Sequence, residues 1–212
     1  MTEMRVDQFC KIAALFPQVI LLKNRTVVQW LMGDLSFLST DEKFTTKKQS
    51  DLKYKELEDK WGQSVLELRR PDLRKSGQWT TKFGEHICEE INIMFGKIPT
   101  SPRNIDGYKP DVEVDDAIWE AKTQTYMTDG TAGEKILGVP FKYADIPRLY
   151  GKPLKILCIG CAEKKSREQY GNIIGLKTTA TKREFIEFYK SRGIEWVGFT
   201  DLIADIIYNS PE

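Results

Sequence analysis

The sequence lacks a charge imbalance, a long apolar run, a leader pattern and a full set of soft metal ligands. Its formal net charge is only +1 over 212 residues. Global electrostatics therefore announces no polyanionic partner, although basic contacts and acidic ligands on separate faces would cancel in such a sum. No apolar run approaches the ~18–20 residues that a membrane span needs. The first thirty residues lack the basic, apolar and small-residue order of a signal peptide, so a soluble chain without membrane contact is expected. The only histidine is His86, and the four cysteines are Cys10, Cys88, Cys158 and Cys161. Cys158 and Cys161 form one C-x-x-C, with no second pair and no adjacent histidine to complete a four-ligand zinc site. The pair reads as part of a buried strand, "LKILCIGCA". Internal repeats and low-complexity segments are absent as well.

What is present is an ordinary globular balance, with 41% apolar and 30% charged residues. Residues 1–79 read as a mostly helical region and 80–212 as an α/β core. "VDQFCKIAALF" places Val6, Phe9, Cys10, Ile12, Ala13 and Phe16 along one helical face. "TVVQWLMGDLSFL" is a second apolar segment closed by Gly33 and Asp34. "SDLKYKELEDKWGQSVLEL" makes an amphipathic helix in a segment with excess basic residues, where Lys47 and Lys48 read as a solvated face. "RRPDLRKSGQW" ends it at Pro71 and Gly77. Thr80 or Thr81 is then expected to cap a helix through "KFGEHICEEINIMFG", stopped by Gly96. Ile87, Ile91, Met94 and Phe95 share its apolar face, Glu90 lies at the border, and Glu85 and Glu89 point away. A loop leads to a hairpin. A turn at Asp129-Gly130 and a short helix follow, then the "LKILCIGCA" strand. Next come a helix over "TKREFIEFYKSRG" capped by Thr181, and a final strand passing into a terminal turn.

The hairpin, "GYKPDVEVDDAIWEAKTQTY", carries more charge than a hairpin needs. A two-residue turn at Asp115-Asp116 sets Val114 opposite Ala117, Glu113 opposite Ile118, Val112 opposite Trp119 and Asp111 opposite Glu120. Directly opposed residues share a face with Cβ atoms about 4.5–5.5 Å apart, and Lys122 lies on that face as well. As a plain solvated edge, these ion pairs would contribute only ~0–1 kcal/mol. Yet Glu120 and Lys122 interrupt a second strand that is otherwise largely apolar. Opposed carboxylates repel, and a divalent cation resolves the conflict: Mg²⁺ accepts one or two carboxylates together with waters and phosphate oxygens. Such an ion suits phosphodiester hydrolysis, with Lys122 beside it to orient water and offset charge. Glu113 shares the face and stays ambiguous.

Pro110-Asp111, eight intervening residues and Glu120-Ala121-Lys122 resemble the PD-(D/E)XK nuclease motif. The succession of helix, hairpin, helix, strand, helix and strand from about residue 83 is similar to that superfamily's core. Within it, the layout resembles a type II restriction endonuclease. The resemblance implies a restriction-endonuclease-like α/β fold, a mixed β-sheet flanked by helices and preceded by the helical region. It implies Mg²⁺-dependent cleavage of double-stranded DNA, with Mn²⁺ substituting. Asp111 and Glu120 would be metal ligands, joined by the Ala121 carbonyl, with Lys122 as the catalytic lysine and Glu90 contributed by the preceding helix. It further implies a homodimer and a cytoplasmic setting in a prokaryotic or viral host. Candidate DNA contacts are Arg69, Arg70, Arg74, Lys75 and Gln78 before the core. After the catalytic strand they are Thr125, Tyr126, Thr128, Thr131, Gly133 and Lys135. Lys164, Lys165 and Arg167 are further candidates for backbone contact. A structure-specific nuclease or a non-catalytic DNA-binding protein on the same fold are the alternatives.

Overall fold

A computed structural model of the chain describes residues 3–73, 78–127 and 132–210. Four strands form one mixed sheet: β1 (Val112–Glu113), β2 (Ile118–Gln124), β3 (Leu154–Gly160) and β4 (Ile194–Gly198), in the order β1-β2-β3-β4. β1 runs antiparallel to β2, while β2, β3 and β4 are mutually parallel. Parallel neighbours need crossover connections. These are α5 (Ala132–Lys142) and α6 (Ile146–Tyr150) between β2 and β3, then α7 (Cys161–Lys165) and α8 (Ala180–Ser191) between β3 and β4. α7 runs into a π-helical turn over Ser166–Tyr170. Four helices precede the sheet, α1 (Glu3–Ala13), α2 (Arg25–Leu31), α3 (Lys47–Glu67) and α4 (Trp79–Met94), and α9 (Phe199–Asn209) closes the described chain.

The hairpin register is the one its turn dictates. Val112 pairs with Trp119 and Glu113 with Ile118. The Val114 N–H donates to the Ala117 carbonyl at 3.0 Å, closing the loop over Asp115-Asp116. A two-residue offset keeps side chains on one face, so Ile118, Glu120 and Lys122 face one way and Trp119, Ala121 and Thr123 the other. Each face has its own core. Trp119, Leu157 and Ile159 join α1, α2, α4 and α9 through residues such as Phe9, Trp30, Ile87 and Phe199. On the opposite face, Ile118, Leu154, Ile156 and Ile194 pack under Val139, Tyr143 and Ile146.

The first of these cores runs from Val6 to Ile206, so the N-terminal helices and the sheet share it. At the expected boundary near residue 79, the Trp79 ring meets Trp30 at 5.6 Å and Trp61 at 5.8 Å between centroids. The β3 strand is buried as its composition predicts, with Cys158 inside it, but it ends at Gly160, so the buried Cys161 opens α7 instead of lying in the strand. Three further local expectations are corrected. α4 starts at Trp79 with Gln78 as its N-cap, not at Thr80 or Thr81, and its Phe95 is 39% exposed. α8 is capped by Thr179, whose side chain accepts from the Lys182 N–H, because the helix starts two residues earlier than Thr181 would allow. The expected terminal turn is the helix α9, whose Phe199, Ile203 and Ile206 recur at helical spacing and enter the core. Among the described residues no helix is long and apolar enough to cross a membrane.

Candidate metal centre

Asp111 stands at the entrance to β1, where its N–H donates to the Trp119 carbonyl at 3.1 Å. That bond fixes it opposite β2, and its Oδ2 accepts from the Ala121 N–H at 2.8 Å. Glu120 is buried, 5% exposed. Lys122 Nζ donates to Glu120 Oε1 at 2.5 Å and to the Ala121 carbonyl at 3.3 Å. The other Glu120 oxygen, Oε2, is buried with no hydrogen-bond partner among the described residues. Burial, and after it the charge of Glu120, pushes the Asp111 carboxyl up to about 7, against the pull of Lys122 and of the Ala121 N–H.

This donor set fits a hard divalent cation. Two carboxylates converge on one face, and an orphaned anionic oxygen in a buried place is costly unless something answers it. Among the described residues no group of three or more His, Cys, Asp or Glu is placed to hold a metal. The pair is still enough for Mg²⁺, which keeps several waters and binds through one or two carboxylates. The same oxygens would accept Mn²⁺.

Comparison of the chain with protein-family models, curated proteins and solved structures found no match.

Glu90 does not join the pair. α4 lies on the far face of β2: a Cβ on Gly84 would fall 2.1 Å from Thr123 Oγ1 and 3.6 Å from the Ala121 Cβ. Glu90 there is fully buried, and its oxygens accept from the Leu21 N–H at 3.1 Å, the Leu22 N–H at 2.9 Å and Arg69 at 2.7 Å. Glu89 pairs with Arg69 and contacts His86, and Glu85 pairs with Lys82 at 2.5 Å. Of the three, Glu85 adds to the upward push on the Asp111 carboxyl, after burial and Glu120. Glu113, although its partner Ile118 shares a face with Glu120 and Lys122, is answered by Arg103 at 2.7 Å and Lys152 at 2.9 Å. Asp115 and Asp116 pair with Lys97 at the turn.

The expected DNA contacts divide. Arg69 is spent inside on Glu89 and Glu90, and Arg70 on Asp72 through two bonds of 2.8 and 2.7 Å. Thr125 is buried. Tyr126 packs edge-on against Trp30 at 5.6 Å, and its N–H donates to Glu58. Gly133 lies buried against Tyr170, whose hydroxyl would stand 1.9 Å from an added Cβ. Gln78 and Lys135 are exposed. Arg74, Lys75, Thr128 and Thr131, with the turn at Asp129-Gly130, lie outside the described residues. Farther on, Arg167 is paired with Glu163 and Asp201, Lys165 is buried, and Lys164 is exposed.

Two residues escaped the sequence reading. Glu58 of α3, fully buried, accepts from Trp30 Nε1 at 2.7 Å, the Tyr126 N–H at 2.9 Å and the Met127 N–H at 3.1 Å, and so fastens the exit of β2. Its signal was there, an acid one turn before Gly62 and two before Val65 on the buried stripe of α3. Lys142, at the end of α5, has its pKa raised first by Tyr143 and then by the charges of Glu120 and Asp111. That places a further cation near the pair, and nothing in its local sequence signals it.

Proposed function

We propose that this protein is a divalent-metal-dependent endodeoxyribonuclease that hydrolyses phosphodiester bonds in double-stranded DNA, with a PD-(D/E)XK core of the restriction-endonuclease type. The observation that carries the reading is the Asp111–Glu120 pair, with Asp111 half-buried and Glu120 buried, Lys122 bonded to one Glu120 oxygen and the other oxygen orphaned. Asp111, Glu120 and the Ala121 carbonyl would hold Mg²⁺ or Mn²⁺. A bound ion of this kind polarises a phosphoryl group and lowers the pKa of a nearby water.

The chain's own groups do the rest. Glu120 Oε1 holds the Lys122 ammonium in place. The Ala121 N–H orients Asp111 through Oδ2. Lys122 then offers a positioned positive charge to the phosphate and a donor that orients the attacking water. Burial of Glu120 limits the solvent that would screen these charges. Cutting both strands of a palindromic site requires two such centres, which makes a homodimer part of the proposal.

Purified protein incubated with plasmid DNA in Mg²⁺, in Mn²⁺ and in EDTA tests it. Discrete metal-dependent fragments support site-specific cleavage, whereas a smear supports a nuclease without sequence preference. Absence of cleavage in either metal sinks the proposal. Lys122→Ala is expected to lower the cleavage rate at least about a hundredfold, with the protein still folded and binding metal.

A further inference from the structure

α3 begins at a capping box, in which Thr46 accepts from the Gln49 N–H and the Gln49 side chain accepts from the Thr46 N–H. Along the rest of the helix the lysines are answered: Lys53 by Glu42 and Glu56, Lys55 by Asp59, and Lys60 by Glu56. Lys47 and Lys48, both exposed, have no carboxylate partner among the described residues. With Asp51, Leu52, Lys55 and Met127 they line an open groove of about 440 Å³. Leu52, 59% exposed, gives the groove an apolar patch among the charges.

The position of Met127 gives the groove its meaning. It lies three residues past the end of β2, and its N–H and that of Tyr126 both donate to Glu58 on α3 itself. The helix carrying the unanswered lysines is therefore fastened to the strand carrying Glu120 and Lys122. Met127 is five chain steps on from Lys122, a reach of at most about 18 Å. At ~3.4 Å per nucleotide step along duplex DNA, this is within about five steps of the metal centre.

We infer that this groove on α3 seats the sugar–phosphate backbone of duplex DNA flanking the cut, with Lys47 and Lys48 each meeting a phosphate. The inference rests on the nuclease reading for the identity of the polyanion. Among the described residues Asp51 is the one acid lining the groove, set against the unanswered ammonium groups of Lys47 and Lys48 and that of Lys55, which Asp59 already answers. The free N–H groups at the start of α3 add positive potential at the same end. Leu52 and Met127 offer apolar surface to the deoxyribose.

Fluorescence anisotropy of a labelled duplex tests it, with Ca²⁺ replacing Mg²⁺ to suppress cutting, over a range of salt concentrations. Wild type is compared with Lys47→Gln/Lys48→Gln and Lys47→Glu/Lys48→Glu, whose folding is verified by circular dichroism. Loss of two phosphate contacts is expected to lower the slope of log K against log salt by about 1.8. The charge-reversed variant should also bind at least about tenfold more weakly at low salt. An unchanged slope and affinity in both variants overturns the inference, as does a wild type that does not bind the duplex. Plasmid cleavage by wild type reports separately on the nuclease reading. A wild type that cuts, with unchanged slopes in the variants, removes the groove alone. One that does not cut, with slopes that fall, removes the nuclease reading and leaves the groove as a DNA-binding surface.

Discussion

Burial, and after it the charge of the facing Glu120, leaves Asp111 with a carboxyl that keeps its proton to about pH 7. Its unfolded counterpart releases that proton near 3.8. Because the folded chain binds the extra proton, the metal-free protein loses stability as pH rises from about 4 to about 7 and changes little above that. Urea unfolding in EDTA should show this decline in wild type. In Asp111→Asn the decline should be smaller, because the buried Glu58, whose carboxyl burial also raises, still contributes to it, and the variant should be the more stable of the two at pH 8; equal pH profiles would remove the coupling. Glu113 carries the opposite sign. Arg103, and after it Lys152, hold its carboxyl at about 2 rather than 4.5. Its contribution is complete above about pH 4.5 and is lost as pH falls from there toward 2. Glu113→Gln should flatten the acid-unfolding limb over that window, and an unaltered limb would contradict the ion pairs. Asp111, Glu120 and Lys122 were legible from sequence because strand period and turn length are local arithmetic. Glu90 was not. The N–H groups of Leu21 and Leu22 that claim it are nearly seventy residues away, and helical periodicity cannot say which neighbour a border residue meets.

Between elements, the crossing of α3 and α4 supports the site from behind. Gly62 of α3 faces the Trp79 indole so closely that a Cβ would stand 2.2 Å from the ring. Alanine is favoured over glycine inside a helix by ~1 kcal/mol. Overpacking against a rigid buried ring costs about 1–3 kcal/mol, so the clash should win. Gly62→Ala is therefore expected to lower the midpoint of chemical unfolding, and a raised midpoint would mean that the helices do not approach so closely. The helices with buried stripes, α1, α3 and α4, were readable from periodicity. α9 was not, because an apolar strand and an apolar helix in direct succession share composition and lack a Gly-Pro break between them. The contact of Tyr126 with Trp30 was hidden for another reason: a segment after a strand reads as a loop until the buried carboxylate that fastens it is known.

Over the whole molecule, the four strands and the helices α5 and α8 between them follow the order the sequence suggested, and the mixed sheet follows from it; α6, α7 and α9 are additions. Residues 1–79 read as a mostly helical region before the core; the packing of Trp30, Trp61 and Trp79 together beneath the sheet is a convergence that no local pattern records. A cation that binds the folded site and not the unfolded chain stabilises the whole fold. At a concentration of a hundred times Kd the gain is ~2.7 kcal/mol, several degrees in Tm for a chain of this size. Mg²⁺ should therefore raise the Tm of wild type and leave that of Asp111→Asn close to its value in EDTA. The central claim, that Asp111 and Glu120 together form a divalent-cation site, is tested most directly by titrating Mn²⁺ into wild type, Asp111→Asn and Glu120→Gln while following free Mn²⁺ by electron paramagnetic resonance. The site described here predicts saturable binding by wild type and at least about tenfold weaker binding by each variant. Equal binding by all three would contradict it.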